Sequence, residues 1–197
     1  MHNHVQVMIL FAVKIKGMIW GVSFSFFAVT AMIFLCTDAS SKNIFTALVG
    51  CALHECGHLV FMFLFDKPPE KVILYGGGIR ITPSKNNMLS STREMIVLLA
   101  GCGFNFIGAG IWFALKGLDF FCEVNLLLGI FNLLPFKYFD GGRVLEMLLV
   151  GSAAYDHIRA FFIFLGAVGI ILMNLNGMVS ISFMLTFCFV VFSEVIC

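Results

Sequence analysis

Ile44-Phe45-Thr46-Ala47-Leu48-Val49-Gly50-Cys51-Ala52-Leu53-His54-Glu55-Cys56-Gly57-His58-Leu59-Val60-Phe61-Met62-Phe63-Leu64-Phe65 is an almost wholly apolar stretch with three ionisable side chains at its centre. About 20 such residues in helical form cross the hydrocarbon core of a bilayer. Ionisable groups near a bilayer centre cost about 2.5–3.5 kcal/mol each even on lenient insertion scales, so three within five residues are hard to explain as packing. His54 and His58 are four apart, share one helix face and can reach one ion with both imidazoles. Glu55 follows the first histidine, where it can take a proton from a water held by that ion. Catalytic zinc usually has three protein ligands and one open position, so a third ligand is expected from another segment at similar depth.

The rest of the chain supports a membrane setting. It has 197 residues, 60% of them hydrophobic and 12% charged, and a mean hydropathy of +1.02. Soluble domains carry about 25% charged residues. The net charge of +1 excludes a broad basic face, and with it a nucleic-acid partner. Seven cysteines, an odd number without CxxC spacing, read as small apolar packing residues, with neither disulfides nor a cysteine zinc site.

Six apolar stretches follow one another at residues 18–36, 44–65, 95–115, 120–136, 160–173 and 178–193. The fold class expected is an all-α polytopic membrane protein of about six transmembrane helices, in one domain spanning residues 1–197. Residues 5–13 are too short to cross and lack the flanks of a cleaved signal peptide. Crossing the membrane at each span puts Lys14, Lys16, Lys67, Lys71, Arg80, Lys85, Arg93, Lys137, Arg143 and Arg159 on the side of the N-terminus, against Lys42 and Lys116 opposite. By the positive-inside rule both termini are then cytoplasmic.

Residues 66–94 form a cytoplasmic loop that breaks the helical pattern. Val72-Ile73-Leu74-Tyr75 and Ile79-Arg80-Ile81-Thr82 flank Gly76-Gly77-Gly78, which reads as a β-hairpin; the alternative is a mobile loop. Val13-Lys14-Ile15-Lys16, within the segment 1–17, alternates as a third strand would. Together these give a small membrane-associated β-hairpin or sheet.

Downstream, Phe131-Asn132-Leu133-Leu134-Pro135-Phe136-Lys137-Tyr138-Phe139-Asp140-Gly141-Gly142 ends the fourth span. Pro135 breaks the helix, Gly141-Gly142 permits tight geometry, and Asp140 approaches from the cytoplasmic side as the candidate third ligand.

The pair formed by His54–His58 and Asn132-x-x-Pro135-x-x-x-x-Asp140-Gly141-Gly142 resembles the signature of the site-2 protease family of intramembrane zinc metalloproteases. Ala100-Gly101-Cys102-Gly103-Phe104-Asn105 echoes the family's Gly-Pro-x-x-Asn element, with Cys102 in place of proline. Tyr138 likewise stands where relatives often carry a proline. The resemblance implies Zn²⁺ held by His54, His58 and Asp140, Glu55 as general base, and Asn105 and Asn132 as polar helpers. Read from the residues alone, an interhelical hydrogen bond explains either asparagine equally well. A compact core without a PDZ domain looks most like the sporulation branch, typified by stage IV sporulation protein FB.

The function expected is hydrolysis of peptide bonds in membrane-tethered proteins near the cytoplasmic face. A tethered transcription or sigma factor is the implied kind of substrate. The lipid bilayer and a membrane regulatory partner are the implied company, in a bacterial cell membrane. The rivals are a membrane metal transporter and an inactive protease-like scaffold. Glu55 directly after the first ligand argues against the transporter, and the presence of all four active-site residues against the scaffold.

Overall fold

The computed structural model of the chain describes residues 9–15, 17–24, 26, 41–75, 78–83, 90–137 and 139–175. These residues are mostly helical, with one small mixed sheet. The chain divides into two compact units, Met1–Phe131 and Asn132–Cys197.

The first unit opens with the sheet. Strand β1 (Ile9–Ile15) pairs antiparallel with β2 (Met18–Ser23), with Ile15 opposite Met18 and Gly17 between them at a φ of 84°. Strand β2 then runs parallel to β3 (Pro69–Tyr75), placing Trp20 beside Val72. Strand β4 (Gly78–Pro83) returns antiparallel, with Tyr75 opposite Gly78. The sheet order is β1-β2-β3-β4, and Val72 and Ile73 are buried in its middle. The expected hairpin and the strand at residues 13–15 are therefore present; Lys16, Gly76 and Gly77 lie outside the described residues.

One expectation needs correcting. Residues 18–23, read as the start of the first span, form a strand instead. Met-Ile-Trp-Gly-Val-Ser is a short apolar run, and periodicity alone does not separate helix from strand in such a run. The backbone hydrogen bonds of β1 on one side and β3 on the other decide it. Residues 27–36 of that span lie outside the described residues.

Helix α1 (Ser41–Leu64) carries the two histidines. Its C-terminus closes by backbone bonding from Asp66 N–H to the Phe63 carbonyl (3.0 Å) and from Lys67 N–H to the Met62 carbonyl (2.9 Å). Asp66 adopts a positive φ of 54° in the position where glycine is usual. Pro68 and Pro69 follow and cannot extend the helix. Arg93 stacks 5.4 Å above the Phe65 ring, tying this end to the start of α2 (Ser91–Lys116).

Helix α2 ends at Gly117. In the turn that follows, the Asp119 carboxylate accepts the Cys122 N–H (3.1 Å) and the Trp112 indole N–H (2.7 Å). The Cys122 amide, helped by the indole, holds the exposed Asp119 carboxyl below its ordinary pKa.

Helix α3 (Phe120–Asn132) is 13 residues long. At 1.5 Å per residue that is about 20 Å, short of the ~30 Å hydrocarbon core. The fourth apolar stretch is thus helical only to Asn132 and not to residue 136. By length and composition Lys42–Leu64 and Ser91–Lys116 suffice to cross a membrane, and only 28% and 39% of their apolar windows are buried within the protein.

The second unit begins with an irregular stretch in which Pro135 and Phe136 are buried. Phe139 N–H donates to the Phe136 carbonyl at 2.9 Å, and helix α4 (Asp140–Leu148) starts directly after. A Cβ on Gly141 would overlap the Leu133 carbonyl, and one on Gly142 the Phe136 carbonyl. The chain doubles back on itself here so closely that only glycine fits. Helix α5 (Ala153–Leu175) contains the fifth apolar stretch, residues 160–173. The sixth, residues 178–193, lies outside the described residues.

Candidate metal centre

The histidine pair sits where α1 and α2 touch. A Cβ on Gly57 would lie 2.5 Å from the Ala100 carbonyl oxygen, so the two backbones meet without side chains between them. Across that contact, a Cβ on Gly101 would lie 2.5 Å from both Cε1 and Nε2 of His58 and 2.7 Å from Cε1 of His54. Small residues let apolar helices approach in this way, and here the space left by Gly101 is filled by the two imidazoles. His54 is 6% exposed and His58 8%. Their rings cross at 85° with centroids 4.7 Å apart.

The hydrogen bonds around the rings have a fixed direction. His58 Nδ1 lies 2.7 Å from the Val97 carbonyl oxygen. A carbonyl only accepts, so Nδ1 carries the proton. His54 Nδ1 lies 2.7 Å from Asn105 Oδ1. The Asn105 amide nitrogen donates to the Gly50 carbonyl (3.1 Å) and to Asn125 Oδ1 (2.8 Å), which leaves its oxygen to face His54. Both rings therefore hold their proton on Nδ1 and present an Nε2 lone pair.

The two Nε2 atoms are 3.1 Å apart. Two lone pairs at that distance repel unless a cation or a proton lies between them. Two nitrogen ligands at 2.0–2.1 Å from a tetrahedral zinc are about 3.3 Å apart. Donation of the second ring N–H to a carbonyl or amide oxygen is also how metal-bound histidines are usually oriented. The donor set fits zinc.

The expected site residues fall as follows. His54, His58 and Asn105 are brought together, and Glu55 sits next to His54 on α1, half-buried. Asn132 is the last residue of α3 and half-buried. Asp140, half-buried, is the first residue of α4 in the second unit. Two participants have no reading from sequence, the Val97 carbonyl and Asn125, and Gly101 reads only as the glycine of the Gly-Pro-x-x-Asn-like element. Asn125 carries the same signal as Asn105, an amide in an apolar run. Among the described residues no buried side-chain nitrogen or oxygen lacks a hydrogen-bond partner.

No protein-family model matches the sequence, and no curated protein matches it either. Among solved structures the fold is shared with a protease. That structure is the Site-2 Protease from Methanocaldococcus jannaschii, which is 23% identical with a TM-score of 0.60. The match covers 92% of this chain and 93% of that one.

Proposed function

We propose that the chain is an intramembrane zinc metalloprotease of the site-2 type. The observation that carries this reading is the histidine pair, with both Nδ1 protons committed to acceptors and both Nε2 atoms 3.1 Å apart. Glu55 beside that pair and the fold shared with a protease support it. Asp140, ahead of two glycines that let its segment fold tightly, is the third ligand in this reading. The outer surfaces of α1 and α2 expose Phe63, Leu64, Ile107, Ile111, Phe113 and Leu115, as helices in contact with lipid would. Six spans with both termini cytoplasmic remain the topology we propose, on the ten-to-two distribution of Lys and Arg, with the first span starting only after β2 and the bilayer thinned around the short α3.

Zinc, when bound, supplies Lewis acidity and an acidified water. Glu55 accepts the proton of the attacking water and returns it to the leaving amine nitrogen. Val97 and Asn105 keep the imidazoles oriented and in the required tautomer. A membrane-tethered substrate must present an extended segment, because a helix hides its carbonyls in backbone bonds. The hairpin of β3 and β4 offers an edge, on β4, to which such a segment adds as a strand. The reading stops at this class, since nothing in the fold selects the sporulation branch.

The test is cleavage of a single-span substrate by the reconstituted chain. Glu55→Gln should keep zinc and lose cleavage, whereas Asp140→Asn should lose zinc. Cleavage undiminished in Glu55→Gln would overturn the proposal.

A further inference from the structure

We infer that Asn125 on α3 is a positioning residue for the metal centre, joining the Gly50 carbonyl in holding the tautomer of His54 from two hydrogen bonds away. Asn105 and Asn125 are both 0% exposed. The line of bonds begins at the Phe121 carbonyl, which accepts from Asn125 Nδ2 at 2.9 Å. That fixes which end of the Asn125 amide is oxygen and points it at Asn105 Nδ2, 2.8 Å away. With the Gly50 carbonyl taking the other Asn105 proton at 3.1 Å, the Asn105 oxygen faces His54 Nδ1 at 2.7 Å. The polarity of the line therefore descends from backbone carbonyls that can only accept, and it ends in an Nε2 lone pair on His54.

Local packing is built around this line. A Cβ on Gly50 would lie 3.0 Å from Leu128 Cδ1 and 3.5 Å from Asn125 Oδ1, so the bare glycine lets α3 close on α1 at this level. Asn125 lies outside the motifs that resemble a protease family, and its partner Phe121 is merely one turn earlier on the same helix. Removing the Asn125 oxygen leaves one Asn105 N–H without its acceptor. The Asn105 amide is then held in its orientation by the Gly50 carbonyl alone instead of by two acceptors, so a turned amide, which offers His54 an N–H where it needs an oxygen, becomes less costly.

The inference rests on the metalloprotease reading only in using zinc as a probe. The experiment uses the full chain in detergent, with ¹⁵N-labelled histidine and without metal. Ring nitrogen shifts should report His54, assigned by its loss in His54→Ala, as protonated on Nδ1 in the wild type, whether or not a proton is shared between the two Nε2 atoms. Asn125→Leu and the smaller Asn125→Ala should raise the share of His54 without a proton on Nδ1 and give about ten- to hundredfold weaker zinc binding, the range seen when outer partners of metal ligands are removed. Asn125→Asp, whose protonated carboxyl offers the same acceptor and donor, should restore both to within about threefold, a rescue that bulk packing alone would not give.

A wild-type His54 with no proton on Nδ1 overturns the inference without any variant. So do folded Leu or Ala variants with wild-type zinc affinity and Nδ1 as fully protonated as in the wild type, or an Asp variant as weak as the Leu one. Loss of the protease reading, through cleavage undiminished in Glu55→Gln, leaves the tautomer measurement standing.

Discussion

Two polar clusters in the first unit have hydrogen bonds of equal length and opposite surroundings. At the crossing of α1, α2 and α3, His54, Asn105 and Asn125 are joined by bonds of 2.7–2.8 Å among residues that are 0–6% exposed. At the turn between α2 and α3, the exposed Asp119 accepts the Trp112 indole at the same 2.7 Å. Geometry alone would rank them together. The difference lies in what replaces a lost partner. Water does so at the turn, and nothing does at the crossing, where an orphaned donor or acceptor costs about 1–3 kcal/mol. The buried cluster therefore constrains which proton sits where, whereas the exposed one closes a turn.

The largest effect should come from a change that leaves both clusters intact. Glu55→Gln removes the proposed general base, and substrate cleavage should fall about 10²–10⁴-fold with zinc content and thermal stability unchanged. Gly101→Ala attacks the buried side from the packing direction. Its methyl group would meet both imidazoles, so zinc should be lost and stability should drop by about 1–3 kcal/mol, read by metal analysis and a thermal scan. Asn105→Leu strips the acceptor from His54 and should weaken zinc about ten- to hundredfold, with Asn105→Asp milder; equal effects from the two would break the contrast drawn above.

The smallest effect belongs to Asp119. Its carboxyl titrates lower in the folded protein than in the unfolded chain, so its contribution is present above the unfolded pKa and fades as pH falls through the folded value. Trp112 fluorescence in a Trp20→Phe background should change only below about pH 4, and Asp119→Asn should abolish that change.

The sequence was most legible where polarity is most expensive. His54, Glu55 and His58 stand out because an apolar run does not otherwise hold them, and the Gly-rich hairpin stands out because no helix tolerates it. The helical end at Asn132 follows from Pro135 three residues on. Strand β2 was not legible, since Met18–Ser23 is as apolar as a span and its character is set by β3, far along the chain. The importance of Asn125 was hidden for a related reason. Its partners on other helices, Asn105 and the crossing glycine Gly50, are neighbours only once α1, α2 and α3 have packed.

The parallel pairing of β2 with β3 also dictates an order of birth. Parallel strands cannot be joined by a tight turn, and residues 24–68, with all of α1, separate this pair. At synthesis rates of about 5–20 residues per second, β1 and β2 emerge roughly 2–9 s before the end of the segment that leads to β3. During that interval they form at most a two-stranded hairpin, marginal in water, with an open edge. The sheet is therefore finished only after the helix carrying both histidines has been made.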